Sequence, residues 1–425
     1  YCLGRQFAKL GHGLSNRDRG RAIRVLLSLE EDRPYEEPAL CQLCLGNLPI
    51  VDRWAERARA ALEGIEFKKF VVGSHLPDFL KEQEQELQRR YDLEHAGELK
   101  HDLNREVGKL LEAAFIEAEV DLRKPEVAVL LDLVWDRVEL VIKPLFIFGR
   151  YRKLVRGLPQ THWPCRRCRG RGCPRCNFTG KQYPESVEEL ISPPLLAAAR
   201  GSSSAFHGSG REDIDARMLG QGRPFVVEIR EPKIRTIDLK ALEEEINRRA
   251  AGKVDVQGLR FTEREMVERL KASRAAKLYR ARVEFERPVG EEDFKRALEA
   301  LVGPIEQRTP RRVAHRRADR VRRRTVHEIN GELLSDREAL IEVRCDGGLY
   351  VKELISGDEG RTSPNLATVL GVPAEIRELD VLEVFDGLPR LGEFADAEED
   401  EPGEEQDHQD DEKDDQPPLP REGAI

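Results

Sequence analysis

The sequence predicts an α+β protein of two or three domains, and three observations lead there. At 425 residues the chain is long enough for more than one hydrophobic core. From about residue 200 to 390, short alternating strands dominate and only two helices punctuate them, which suits a mixed or antiparallel sheet with helices on its faces. Upstream of that region, helical and strand periodicities mix, and cysteine pairs mark two further compact segments.

In chain order, Ile23, Leu26, Leu27 and Leu29 give the apolar side of a helix over 17–31. Helical spacing recurs over 51–62, 76–91 and 99–119, with strands expected at 67–72, 127–132 and 138–148. The most apolar stretch, 127–148, is interrupted by Asp132, Asp136, Glu139 and Lys143, so it reads as two strands of a buried sheet rather than a membrane span. A cysteine cluster occupies 163–176, a helix 185–200, and Gly201-Ser202-Ser203-Ser204 marks a break. Strands are then expected at 225–229, 254–261, 278–285, 339–343 and 381–385, with helices at 239–249 and 291–301. The boundaries implied are 1–50, 51–160, 161–182, 183–392 and 393–425.

The net charge of −9 conceals two opposite regions. Residues 396–425 hold 14 acidic and 2 basic side chains, a net of −12, leaving +3 on the preceding 395. That tail is expected to be disordered. Between Arg308 and Arg324 stand nine arginines against one acid, Asp319, as in an arm that binds phosphate backbones. With no secretory signal and no spanning helix, a monomer in the cytoplasm is expected, one that takes no small-molecule cofactor and meets no membrane.

Cys165-Arg-Arg-Cys168 and Cys173-Pro-Arg-Cys176 form two knuckles that can wrap one tetrahedral zinc ion through four thiolates, with glycines 170, 172 and 180 supplying the turns. Cys41-Gln-Leu-Cys44 is half of a similar site, Cys2 is a further thiolate, and Cys345 reads as a buried core residue. Neither cluster carries the donors of catalytic zinc, so both read as structural.

The segment 206–225 is the most informative in the chain. Glycines 208, 210, 220 and 222 permit backbone that a side chain would forbid. Arg211, Arg217 and Arg223 can hold phosphates or keep a carboxylate ionised, and Asp213 among them suits nucleophilic or base chemistry on a polyanion. Gly210-Arg211-Glu212-Asp213 resembles, residue for residue, the Gly-Arg-x-Asp core of the archaeal and eukaryotic tRNA pseudouridine synthases that act on the T-loop. The likeness extends over nearly the whole chain except the acidic tail.

That resemblance implies a THUMP-type RNA-binding domain followed by a pseudouridine synthase domain, tRNA as partner and Asp213 as the catalytic residue. It implies that Tyr279 packs on the target uracil, that Lys352 is a basic residue on a strand beside Asp213, and that Leu379 lines the pocket with Arg211. Tyr350 reads equally as a pocket wall or a core residue, and Asp215 is a rival to Asp213, since alternate strand residues share a face. The stretch 148–160 resembles the end of the RNA-binding domain, which makes Arg150, Arg152, Lys153 and Arg156 candidate RNA contacts beside Arg311, Arg312, Arg322 and Arg323 of the arm. In the family the cysteine before Cys2 completes a CxxC, so Cys2, Cys41 and Cys44 are expected to be three ligands of a four-cysteine zinc site, the first lying upstream of Tyr1. A non-catalytic tRNA-binding or chaperone protein is the alternative; a THUMP-bearing methyltransferase would need a glycine-rich cofactor loop that is missing here.

Overall fold

The computed structural model describes residues 1–388 apart from 12, 35–39 and 316, so the expected disordered tail lies outside the described residues. The chain builds two sheets. The first has four strands, β1 (Lys69–His75), β2 (Glu119–Val120), β3 (Val127–Asp132) and β4 (Arg137–Ile142), in the order β2-β1-β3-β4. The helices Val51–Ala61 and Leu99–Ala114 pack on it, and Trp54, Phe70, Leu103, Val107, Val127 and Val129 form its core. Cys44 and Leu48 belong to the same core, and Tyr1, Cys2 and Cys41 pack against it. The helix Asn16–Glu30 begins where Ser15 Oγ accepts the Asp18 amide at 3.1 Å.

The second sheet comprises β5 (Leu145–Lys153), β6 (Ser203–Gly208), β7 (Ala216–Arg230), β8 (Val254–Thr262), β9 (Ala276–Phe285), β10 (Gly303–Arg308), β11 (Val321–Ser335), β12 (Glu338–Cys345), β13 (Thr362–Ser363) and β14 (Ala374–Phe385). Its order is β13-β10-β11-β12-β9-β14-β7-β5-β8, with β6 added on β7. Every pairing is antiparallel except β14 with β7, which run parallel from Leu379↔Ala216 to Val381↔Met218. This is the mixed sheet expected from the sequence. Two cores flank it, one under β9 to β12 and the other under β5, β7 and β8, and half-buried Tyr279 packs against both.

Several boundaries differ from expectation. The apolar stretch 127–148 is three strands, not two: β3 and β4 close the first sheet, and after Lys143-Pro144 the chain enters β5 in the second. Residues 148–153 of the stretch 148–160 therefore belong to the second sheet and not to the first. Strand β6 begins inside the expected break at 201–204, because Ser203 to Gly208 find partners on β7. Strands β10 and β11 were not anticipated; β11 carries Arg322, Arg323 and Arg324, so the arginine-rich segment is partly sheet and not a free arm.

Strand β7 bends between its pairing with β14 at 216–218 and its pairing with β5 and β6 from 223 on, and the bend demands glycine. Gly220 has φ +55°, and a Cβ there would sit 1.9 Å from Leu382 O. Gly220→Ala is accordingly expected to lose about 3 kcal/mol or more in chemical unfolding; a change under about 0.5 kcal/mol would mean the bend relaxes freely.

Candidate active site and cysteine clusters

Asp213 lies on the turn between β6 and β7, and the turn's carbonyls are held almost one by one. Arg223 Nη1 donates to Ser209 O at 2.7 Å, Gln160 Nε2 to Gly210 O at 2.9 Å, and Lys153 Nζ to Asp213 O and Ile214 O at 3.2 Å each. Beneath the turn Glu212, with its side chain 0% exposed, accepts from Arg223 Nε at 2.9 Å and from the Tyr151 hydroxyl at 2.9 Å, while Lys153 Nζ stands 3.7 Å away. Gln160 donates in turn to Tyr151 Oη at 2.8 Å. Burial pushes the Lys153 ammonium below its ordinary value, with Glu212 opposing that shift.

Above this network opens a cavity of about 300 Å³ lined by Arg211, Asp213, Lys277, Tyr279, Tyr350, Lys352 and Leu379. Tyr279, Lys352, Leu379 and Arg211, which the resemblance implied around Asp213, are thus brought together at it, and Tyr350 joins them. Two cations face the carboxylate: Arg312 Nη1 lies 3.1 Å and Lys352 Nζ 3.9 Å from Asp213 Oδ2. Lys352 also bonds Asp215 Oδ2 at 2.5 Å. Burial would raise the Asp215 carboxyl, but the Lys352 hydrogen bond and charge outweigh it and hold it low. Lys352 sits on the helix Val351–Ser356 and not on a strand; Asp213 and Asp215 lie in a turn and not in a strand. Asp213 is 35% exposed and lines the cavity, whereas Asp215 is 66% exposed and is not among its lining residues.

Two site residues were missed or miscast from the sequence. Arg312, expected on the arm as an RNA contact, is half-buried and held by Glu353 through Nε at 2.6 Å. Lys277, in the Lys-Leu-Tyr of β9, enters the cavity two residues before Tyr279; burial, then the Arg223 charge, push its ammonium down to about 8. The same-face spacing of 277 and 279 was the available signal. The guanidinium groups of Arg312 and Arg322 each lie 6.0 Å from the Tyr350 ring, so this tyrosine is a cavity wall.

Two of the expected RNA contacts are corrected by burial. Arg150 is 2% exposed, pairs with Asp386 at 2.7 Å and donates to Gly222 O; Lys153 is fully buried under the Asp213 turn. Neither reaches solvent, so neither meets a phosphate. Arg152 pairs with Asp255, and Arg156 spans Leu379 O at 2.6 Å and Asp380 at 2.7 Å, pinning β14 beside the turn. Arg311 pairs with Glu359, and Arg322 donates to Thr309, while Arg323 is exposed.

The four thiolates of Cys165, Cys168, Cys173 and Cys176 converge, as do those of Cys2, Cys41 and Cys44, and both sets could hold a metal ion. In the first set the Sγ···Sγ distances are 4.0, 3.8 and 3.7 Å. A tetrahedral centre with bonds of about 2.3 Å requires roughly 3.8 Å between sulfurs, so the donors fit. Gly180, at φ +72°, turns the chain so tightly that a Cβ would lie 2.3 Å from Gly170 O. Cys345 is buried in the core.

Comparison with known proteins agrees with this architecture. Residues 54–132 match the family model described as "Pus10 THUMP domain, archaeal", and residues 146–385 the one described as "Pus10, C-terminal". The class is that of proteins joining a THUMP domain to this second sheet, and the second match opens at β5, as the pairing does. A protein of Methanothrix thermoacetophila named tRNA pseudouridine synthase Pus10 is 49% identical over 415 residues, covering 91% of each chain. Its namesake in Methanothermobacter marburgensis is 50% identical over 389 residues, covering 90% of this chain and 94% of that one. The one from Pyrococcus furiosus is 42% identical over 387 residues, covering 91% and 94%. The chain belongs to the Pus10 family. Among the described residues, no helix is long and apolar enough to cross a membrane.

The network under Asp213 makes a firm demand on Glu212. Glu212→Gln leaves Arg223 and Lys153 buried without their counter-charge, so a loss of about 3–5 kcal/mol in urea unfolding is expected. Unfolding at the wild-type midpoint would contradict the network's role.

Proposed function

We propose that this chain is a tRNA pseudouridine synthase that isomerises uridine in the T-loop, at positions 54 and 55, with Asp213 as the catalytic residue. The observation that carries the reading is the Asp213 carboxylate, aimed into a nucleoside-sized cavity between Arg312 and Lys352. Relatives matching nine-tenths of the chain are named tRNA pseudouridine synthase, which supports the reaction class.

The chemistry is an internal exchange of bonds. The N1–C1′ bond breaks, the detached uracil turns, C5 bonds to C1′, and the C5 proton leaves as N1 gains one, so composition is unchanged. Asp213 acts either by attack on C1′ or by taking the 2′ proton, with Arg312 Nη1 at 3.1 Å and Lys352 Nζ at 3.9 Å from its Oδ2. Tyr279 stacks on the base and Leu379 closes the pocket, and a T-loop uridine must be extruded from its fold to enter. Arg211 and Tyr350 flank the entrance. The four-cysteine cluster takes structural zinc, as does the Cys2, Cys41 and Cys44 set.

Three outcomes test this reading. Asp213→Asn should lower single-turnover pseudouridine formation by at least ~10²–10⁴-fold with tRNA affinity within a few fold, while Asp215→Asn keeps most of the rate; the reverse pattern moves the catalytic role to Asp215. Lys277 is charged below about pH 8 and neutral above it, so kcat/KM should fall from about pH 7 to pH 9, and Lys277→Met should remove that fall. An unchanged fall in the variant assigns it to another group. A Cys173→Ser, Cys176→Ser chain should lose one zinc by elemental analysis, and full retention of metal would sink the assignment.

A further inference from the structure

The cysteine segment 161–182 carries a charge that metal binding does not require. It contains six lysines and arginines and no aspartate or glutamate. Arg166, Arg167, Arg169, Arg171 and Arg175 are all exposed, and none forms an ion pair among the described residues. Arg171 merely donates to Cys168 O at 3.3 Å. Arginines elsewhere on the surface are commonly paired, as Arg57 is with Asp136, Arg280 with Glu342 and Arg308 with Asp319. A divalent ion on four thiolates would bear a charge of about −2, which these guanidinium groups outnumber. Like charges crowded within a Debye length of about 8 Å repel one another. Five exposed cations so close in sequence favour an anionic partner.

Two features indicate which anion. Phe178, at the tip of the same knuckle, is 74% exposed, an aromatic face open to stack on a base. The knuckle is also rooted at the catalytic site. Its stem closes through Cys165 N to Gly180 O at 2.7 Å and Gln182 N to Trp163 O at 2.9 Å. Residues of that stem, Gln160 and Trp163, line a second cavity of about 180 Å³ with Asp213 and Lys352. Gln160 fastens the stem to the catalytic turn.

We propose that the cysteine knuckle is a clamp for the RNA backbone, its arginines binding phosphates next to the nucleotide that enters the Asp213 cavity and Phe178 stacking on an unpaired base. This rests on the reading of the chain as a tRNA-modifying enzyme and adds a binding surface to it. The metal's contribution is rigidity: arginines fixed on a cross-linked turn lose less freedom on meeting phosphate than arginines on a mobile loop.

The test uses the full chain with all cysteines intact. Arg166, Arg167, Arg169 and Arg175 are changed together to Gln, with Phe178→Ala as a separate variant, and a full-length tRNA transcript is titrated at several salt concentrations. The fourfold variant should bind ~10-fold or more weakly near 0.15 M salt, and its log–log salt slope should flatten by roughly one unit for each phosphate no longer neutralised. Phe178→Ala should weaken binding about fivefold or more without altering the slope. In both, zinc content should equal that of wild type, and the single-turnover rate at saturating tRNA should stay within about threefold, because Asp213 is untouched. Unchanged affinity and slope in the fourfold variant, with wild type still modifying tRNA, would overturn the clamp and leave the enzyme reading intact. Failure of the wild-type chain to bind and modify tRNA would overturn both.

Discussion

One carboxylate and two cations shut away from water beneath a turn decide where Asp213 stands. Glu212 is joined to Arg223 and Tyr151 by hydrogen bonds and lies beside Lys153, and the same two cations extend to the carbonyls of Ser209, Asp213 and Ile214. A buried ion pair adds little net stability over an apolar pair, but it fixes geometry and is costly to break. Here the geometry fixed is that of the turn bearing Asp213. Burial, and after it the Arg223 charge of this network, lower the neighbouring Lys277.

The rest of the second sheet serves that turn. Strand β5 supplies Tyr151 and Lys153 from one side. Strand β14, the lone parallel partner of β7, brings Leu379 to the cavity and is tied to the turn through Arg156 and Asp380. From the helix Val351–Ser356, Glu353 holds Arg312 against Asp213. The first sheet meets the second through Glu66, which accepts the amides of Arg235 at 2.7 Å and Thr236 at 3.1 Å, and through Lys143 and Glu263 at 2.9 Å.

What could be read from the sequence was the site's cast more than its placing. Gly210-Arg211-Glu212-Asp213 singled out the right turn, yet the residue passed over in that motif, Glu212, is the one that anchors it. The basic run Arg150-Tyr151-Arg152-Lys153 was read as an RNA edge because composition reveals charge but not partners. Arg150 finds its partner at Asp386 and Lys153 finds its carbonyls at 213 and 214, separations no local pattern can signal. Leu349, Val351, Leu354 and Ile355 fit helical as well as strand spacing, so the helix bearing Lys352 was ambiguous over so short a run. The cysteine spacing, a local property, needed no long-range information, and the thiolates converge as it implied.

The claim that a buried network positions Asp213 is tested most directly by Arg223→Lys, which keeps the charge and removes the planar fork that reaches Glu212 and Ser209 O together. Single-turnover pseudouridine formation at saturating tRNA is the measurement, with folding verified by circular dichroism and tRNA affinity measured alongside. A shift of the turn by about 1 Å should cost on the order of a hundredfold in the chemical step while affinity stays within a few fold. A folded variant that turns over at the wild-type rate would show that Asp213 holds its place without the network.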